Sequence, residues 1–311
     1  MSLLFVIFAL LMKQTTLKKE YTFEGRGLHS GRLAHMTLCP APVNTGIVFN
    51  RVDLGPAAMV EAVAENVSST ARSTTISKGR VCVRTIEHVL SALTGLGVDN
   101  AIIKLDAPEV PILDGSASAY AEAICADGLQ EQEEERKWIE LDKEVVVENK
   151  SRGSYIKFIP SEEPSFEVTI DFNSHVLGVQ TFSFSSTTDY KEEVAPCRTF
   201  CFFHEIQKLA AFGLVKGGSL NNAIVIVERP ASERQLRNMA KAFRQPVVSV
   251  SPEGYLSNVV LRFPDECCRH KLLDLMGDLR LIGGFPKAKV VAYKPGHKLN
   301  TGAAKQIRNT K

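Results

Sequence analysis

Two stretches near the start of the chain, Leu33–Leu38 and Gly46–Val52, carry the apolar content of strands, with Pro40 and Pro42 marking a turn between them. The period then changes. Ile86, Val89, Leu90, Ala92, Leu93 and Leu96 recur at helical spacing over Thr85–Leu96, and Gly95 and Gly97 end the run. Ala101–Leu105 reads as a strand, and Asp114-Gly115 introduces a second helix over Ser116–Ala126. The second half repeats this grammar. Phe166–Phe172 and Thr181–Phe184 read as strands, Phe203–Phe212 as a helix closed by Gly213, and Ala223–Val227 as a strand. Ser232–Phe243 reads as an additional helix, Glu266–Leu281 as a long helix closed by Gly283-Gly284, and Lys289–Tyr293 as a final strand.

Between the halves lies the most polar stretch, Gln130–Arg136, followed by a fresh strand at Val145–Val147. It fits a solvated helix end or loop, and its central position also fits a domain boundary. One internal echo links the two sides. Glu87-His88 and Arg269-His270 each start an apolar helix that ends in glycine and a β-rich strand. The expected architecture is therefore two related α+β halves, each a sheet with helices on one face. If those helical faces pack together, the two His-bearing helices meet.

Ser2–Met12 is apolar or small throughout, but eleven residues fall short of the ~20 that span a bilayer. No basic segment precedes it and no small-x-small site follows. An over-extended start with Met12 as initiator, a membrane-touching tail and a signal segment all remain open, and residues 1–12 are set aside as a tail.

Composition narrows the class. A chain of 311 residues, 44% hydrophobic and 23% charged, has the length of two soluble domains and excludes disorder as its main state. The net charge of +2, from 37 basic and 35 acidic residues, argues against nucleic-acid binding but leaves room for a small basic pocket. The seven cysteines are odd in number and include no CxxC pair, which points to a reducing, cytoplasmic setting.

The sharpest chemical feature is His270-Lys271-Leu272-Leu273-Asp274. Residues four apart on a helix share a face, so His270 and Asp274 can grip one metal ion from the same side or form part of a salt-bridging polar stripe. Asp278 lies on the same face, one turn further on. His88 is the candidate third ligand, from the corresponding helix of the first half. Glu87 is either a general base in the same cleft or a helix-start carboxylate favoured by the dipole. His297, in Lys294-Pro295-Gly296-His297, sits on a turn that suits an exposed residue or a mobile general acid. Asp114-Gly115-Ser116 and Lys216-Gly217-Gly218-Ser219 can either cap and turn the chain or approach a ligand. Gly25-Arg26-Gly27-Leu28-His29-Ser30 lacks the last glycine of a dinucleotide loop, and His204-Glu205 is not part of HExxH.

Six segments occur in a telling order: Thr85–Leu93, Val110–Ala117, Arg198-Thr199-Phe200, Gly217-Gly218-Ser219, Arg269–Leu279 and Gly296-His297. Together they resemble the UDP-3-O-acyl-N-acetylglucosamine deacetylases of lipid A biosynthesis, from about Lys13 to Arg308. The resemblance implies a zinc-dependent amidohydrolase of two similar α+β domains, at 13–136 and 137–311, with the helices between the sheets in a β-α-α-β sandwich. It implies one zinc per chain on His88, His270 and Asp274, with iron an alternative because a His₂Asp site is weakly selective. Glu87 would activate water at the metal. His297, oriented by Asp278, would protonate the leaving amine and stabilise the oxyanion, and Thr199 would polarise the amide oxygen. Lys271 would act at the reaction centre and, with Lys294, on the charged nucleotide-sugar, while Phe200, Gly218, Asp114 and His29 are further candidate substrate contacts.

An insert around 200–226 would form a passage for the acyl chain, lined by Phe200, Phe202, Phe203, Leu209, Phe212 and Leu214. Asn221-Asn222 and the helix at 232–243 depart from the family pattern there. Some relatives continue into a dehydratase domain; with the chain ending at Lys311, that second activity is expected to be absent. A monomer with at most peripheral membrane contact is expected.

Overall fold

The computed structural model describes residues 13–211, 216–220, 222–243, 248–257 and 260–310. The apolar segment 1–12, and with it the question of the tail, lies outside the described residues. Seven α-helices are described: α1 (Glu87–Gly95), α2 (Ser118–Asp127), α3 (Tyr190–Glu193), α4 (Phe203–Ala211), α5 (Glu233–Ala242), α6 (Glu266–Leu279) and α7 (His297–Arg308).

Two five-stranded sheets carry them. In spatial order the first runs Tyr21–Arg26, Leu33–Pro40, Ala101–Leu105, Ile47–Arg51, Met59–Glu61. The second runs Val145–Asn149, Ser154–Pro160, Ala288–Tyr293, Ser165–Asp171, Val179–Phe184. The connectivity is the same in both. Strands one and two form an antiparallel hairpin, and the last strand enters between the second and third, antiparallel to one and parallel to the other. In each sheet a helix, α1 or α6, precedes that last strand, and another, α2 or α7, follows it. The echo between His88 and His270 is thus a repeat of a whole α+β unit.

Strand Ser165–Asp171 alternates buried and half-buried positions, as expected of a sheet with one face on a core. Helices α1, α2, α6 and α7 share one core with the two sheets. All of α1 is buried, and so are twelve residues of α6. One apolar cluster joins Phe49, Ile103 and Leu93 of the first unit to Phe158, Val168 and Leu272 of the second. Each such fully buried side chain contributes roughly 1.5–3 kcal/mol, so the sandwich is held chiefly by this shared layer.

The α1–α6 contact is the most extensive between two helices among the described residues. Its close approach depends on Gly277: a Cβ there would lie 2.0 Å from the Glu87 carbonyl oxygen. Absence of a side chain lets α6 lie directly on the first turn of α1.

Three features differ from the sequence reading. Leu129–Glu135 is a strand, paired antiparallel with Lys13–Leu17. Lys13–Leu17 is buried in four of its five residues while Leu129–Glu135 is largely exposed at the edge of the ribbon, so the charges of the outer strand concealed it. A three-stranded sheet, Val67–Ser69, Thr75–Lys78 and Val81–Arg84, precedes α1. The turn expected at His297 is the first turn of the twelve-residue helix α7, whose Ala303, Ala304 and Ile307 are buried. The additional helix at 232–243 is present as α5, capped by reciprocal bonds between Ser232 and Gln235. No helix among the described residues is long and apolar enough to cross a membrane.

Candidate metal centre

The entry to α1 sets the position of His88. Thr85 adopts φ 58°, a left-handed conformation that β-branched residues avoid. Its hydroxyl donates to Glu109 Oε1 at 2.9 Å, and the same carboxylate accepts from the His29 and Ser30 amides. Fully buried Glu109 thereby holds the strained turn against the loop of residues 27–30. The helix begins immediately afterwards, with Glu87 and His88 in its first turn.

From the other side, α6 presents His270 and Asp274 one turn apart. One ligand atom each from His88, His270 and Asp274 lies within 4.8 Å of the others, and all three residues are buried. Nε2 of His270 is 3.4 Å and Nε2 of His88 is 3.8 Å from Asp274 Oδ1. The His270 Nδ1–H donates to the Cys197 carbonyl at 3.0 Å, leaving the Nε2 lone pair toward Asp274. Burial pushes His88 down to about 3, with His270 adding to the effect, and burial also lowers His270. Both imidazoles are therefore neutral, the form that binds a metal. Burial alone would raise the Asp274 carboxyl, but the Lys271 ammonium 2.6 Å from Oδ2 outweighs it and, with the charged His297, holds the carboxyl well below the usual carboxylate range. The set comprises two neutral nitrogens and one ionised carboxylate, with the second carboxylate oxygen already held by Lys271. It fits a divalent ion of the zinc type with three protein ligands and an open position.

A second group of titratable residues surrounds this centre. Glu87 Oε2 accepts from the Thr74 amide at 3.0 Å. Burial pushes its carboxyl up to about 8, opposed by His297 and reinforced by Asp278. Asp278 is fully buried and receives three bonds: His297 Nδ1 at 2.8 Å, Asn300 Nδ2 at 2.9 Å and Thr74 Oγ1 at 2.5 Å. Burial disfavours the His297 imidazolium, but the charge and hydrogen bond of Asp278 outweigh it and bring His297 up to about 9.

These groups open onto one cleft of about 620 Å³. Of the residues singled out in the sequence, Glu87, His88, Asp274, His297, Thr199, Lys271, Phe200, Gly218 and His29 line it. His270 and Asp278 stand behind them. Thr199 is fixed through its backbone, its amide donating to the Gly115 carbonyl at 2.8 Å. Lys271 also lies 5.4 Å from the centre of the Phe200 ring.

Two expected substrate contacts are elsewhere. Asp114 accepts from the Ser116 amide and hydroxyl and pairs with Arg262 at 2.9 Å, so it staples its own turn and does not line the cleft. Lys294 pairs with Asp171 at 2.9 Å and also lies outside the lining. Among the expected acyl-passage residues, Phe203 is buried in a small separate core with Leu220, Val225 and Met239, and Phe202 does not line the cleft. Larger apolar residues that reach it from residues 200–243 include Phe200, Ile206 and Phe243. Phe212, Leu214, Asn221 and the Leu209 side chain lie outside what is described.

The sequence reading missed Thr74, Glu109 and the cleft cations Arg72 and Arg84. Arg84 follows an apolar strand and Glu109 precedes Val110-Pro111, neither in a pattern that marks chemistry. Thr74 lies in a run of Ser and Thr with no distinguishing spacing.

The chain is similar to proteins of one known family. A family model described as LpxC, UDP-3-O-acyl N-acetylglycosamine deacetylase, matches residues 14–244 and 238–309. A protein of Porphyromonas gingivalis named bifunctional enzyme LpxC/FabZ is 42% identical over 298 residues, 96% of this chain and 64% of that protein. The chain thus spans just under two thirds of that bifunctional relative. A UDP-3-O-acyl-N-acetylglucosamine deacetylase of Teredinibacter turnerae is 41% identical over 301 residues, 96% of this chain and 90% of that one. One of Saccharophagus degradans is 42% identical over 294 residues, covering 93% and 88% respectively.

Proposed function

The chain belongs to the UDP-3-O-acyl N-acetylglycosamine deacetylase family, and from that premise we propose that it hydrolyses the N-acetyl amide of UDP-3-O-(3-hydroxyacyl)-N-acetylglucosamine. The products are acetate and UDP-3-O-acyl-glucosamine, in the cytoplasmic branch of lipid A biosynthesis. The observation that carries the reading is the convergence of His88, His270 and Asp274 within 4.8 Å beside Glu87 and His297.

His88, His270 and Asp274 would hold one zinc, or iron, which when bound polarises the amide carbonyl and acidifies water. Glu87 is buried at the same cleft, where the charged His297 and a bound divalent ion would favour its ionised form, and as a carboxylate it suits a base that takes the proton of the attacking water. Thr74 holds its other side. His297 is charged near neutral pH because Asp278 stabilises the imidazolium. It is thereby equipped to stabilise negative charge on the amide oxygen and then to give its proton to the nitrogen as the C–N bond breaks. Water supplies the oxygen of acetate and, through Glu87, one proton. The Thr199 hydroxyl and Lys271 ammonium border the same space and suit the oxyanion and the anionic part of the substrate. Phe200, Ile206 and Phe243 give the cleft an apolar side for the acyl chain. Arg72 and Arg84 add positive charge at the cleft.

The test is acetate release from UDP-3-O-acyl-N-acetylglucosamine with a set of acyl lengths, with and without chelation. About one zinc per chain is expected, with turnover abolished by a chelator and restored by stoichiometric zinc. Full turnover by metal-free protein would overturn the reading.

A further inference from the structure

Glu109 is fully buried beside the cleft, does not line it, and has no part in the chemistry above. No lysine or arginine pairs with its carboxylate among the described residues. Its two oxygens meet three neutral donors instead. Oε1 accepts from the Thr85 hydroxyl at 2.9 Å and the His29 amide at 2.8 Å, and Oε2 accepts from the Ser30 amide at 2.7 Å. A buried carboxylate without a counter-ion is costly to keep, and an apolar residue would fill the same volume without that cost. What an apolar residue lacks is two acceptor atoms on one carbon, which here bind two separate segments at once.

One segment leads into the metal centre. Thr85, held at φ 58°, directly precedes the turn of α1 that carries Glu87 and His88. Its neighbour is fixed to the backbone on both sides of Glu109: the Arg84 amide donates to the Pro108 carbonyl at 3.0 Å, and the Val110 amide donates to the Arg84 carbonyl at 3.1 Å. The other segment is the loop of residues 27–30, which brings Leu28 and His29 to the cleft. That loop cannot retreat from the carboxylate. The Gly217 amide donates to the Leu28 carbonyl at 3.1 Å, and a Cβ at Gly217 would collide with the Gly27 carbonyl oxygen. A Cβ at Gly27 would in turn collide with Glu109 Oε2. The loop is pressed between Glu109 and the segment at 216–218, whose Lys216 and Gly218 also line the cleft.

We infer that Glu109 is a positioning residue, whose carboxylate sets the turn before His88 and the loop that carries His29 at one fixed separation. The candidate metal ligand and the facing wall of the cleft thereby keep a single geometry. Glu109 acts only through the Thr85 hydroxyl and the 27–30 backbone. Metal ligands tolerate displacements of only about 0.2 Å, so release of the Thr85 turn reaches the metal, and release of the loop reaches the substrate. The effect on turnover rests on the deacetylase reading; the effects on metal binding and on the two segments do not.

The test is Glu109→Met in the full-length protein, which keeps the side-chain length and removes both acceptor oxygens. Zinc affinity is measured by competition with a fluorescent chelator, amide hydrogen exchange on the metal-free protein, and KM and kcat by acetate release. Zinc should bind about tenfold more weakly. Exchange should quicken about tenfold at residues 27–31 and 84–88 and stay unchanged in the second sheet. KM should rise several-fold while kcat falls. Thr85→Val removes only the hydroxyl contact and should also weaken zinc binding, with exchange at 27–31 as in wild type, and Thr85→Ser should restore the affinity. Should Glu109→Met not fold, the Thr85 pair decides: wild-type zinc affinity in Thr85→Val overturns the inference. A packing role alone would lower the melting temperature and quicken exchange evenly through the first unit, with zinc affinity and KM unchanged, and that result also overturns it. If wild type releases no acetate, the deacetylase reading fails, while zinc affinity and exchange still decide the role of Glu109.

Discussion

Replacing Gly277 by alanine tests the link between the fold and the metal centre, because two physical effects predict opposite signs. Alanine is favoured over glycine inside a helix by about 1 kcal/mol, so intrinsic preference alone says that Gly277→Ala stabilises. The packing says otherwise. The new Cβ would sit 2.0 Å from the Glu87 carbonyl oxygen and 2.8 Å from its carbon, against an ordinary contact of 3.4 Å or more. The helices must separate by more than 1 Å at that point, or the start of α1 must distort. Overpacking of this kind costs about 1–3 kcal/mol. The displaced residue is the one before His88, and metal–ligand distances tolerate only about 0.2 Å.

Thermal unfolding of the metal-free protein and zinc competition against a fluorescent chelator measure the two consequences separately. Gly277→Ala should lower the melting temperature and weaken zinc affinity by an order of magnitude or more. Gly302→Ala is the control: it lies in α7 with nothing within 4 Å of its Cβ position, so only the helix-propensity gain should appear. A Gly277→Ala protein as stable as wild type, with unchanged zinc affinity, would refute the claim that this glycine sets the helix spacing.

Asp278→Asn should drop the His297 pKa from about 9 toward its ordinary 6.5, followed by imidazole NMR; an unchanged titration would remove Asp278 as the cause. Because the folded value is the raised one, the pairing stabilises the protein fully below about pH 6.5 and is lost as pH rises through about 9. The stability gap between wild type and Asp278→Asn should therefore close over that window. Thr74→Val keeps the amide that holds Glu87 but removes the hydroxyl donated to Asp278; a roughly tenfold fall in kcat with normal zinc content is expected from loss of about 1–2 kcal/mol, with Thr74→Ser restoring it. Wild-type kcat in Thr74→Val would make Thr74 a packing residue only. Glu266→Gln leaves the buried Arg198 guanidinium, 2.8 Å away, without its counter-charge, and should cost about 3–5 kcal/mol in urea unfolding; a loss below 1 kcal/mol would show that water reaches the pair.

How much could be read from the chain differs by element, for physical reasons. The helices α1 and α6 were legible because each combines apolar residues at helical spacing with a glycine stop. Helix α7 was not, since Pro295-Gly296 reads as a turn and Gly302 interrupts an apolar stripe composed largely of alanine. The strand Leu129–Glu135 is stabilised by Lys13–Leu17, over 110 residues earlier, and no local pattern reports such a partner. The pairing of His88 with His270 could be anticipated because each occupies the same kind of place in its own half. Thr74 could not, because its role rests on amide and hydroxyl contacts to two residues that only tertiary folding brings together. Asp114-Gly115-Ser116 shows the converse: its capping chemistry was visible, and capping is what its contacts describe.

The repeat also explains why the site is built asymmetrically. Two copies of one α+β unit, face to face, bring α1 and α6 together as equivalent helices, but equivalence alone would supply two similar groups. The copies have diverged in how far along the helix the chemistry sits. The first unit contributes Glu87 and His88 from the opening turn of α1, where the strained Thr85 and its Glu109 clamp fix the backbone. The second contributes His270, Asp274 and Asp278 along three successive turns of α6, so that one face runs from candidate metal ligands to the carboxylate that holds His297. Only where Gly277 lets α6 cross the start of α1 do the two sets coincide. Thr74 completes the junction, binding Glu87 of one unit through its amide and Asp278 of the other through its hydroxyl. A disturbance of the interface should therefore reach the candidate base and the candidate acid together, which separate domains with a site on either one would not do.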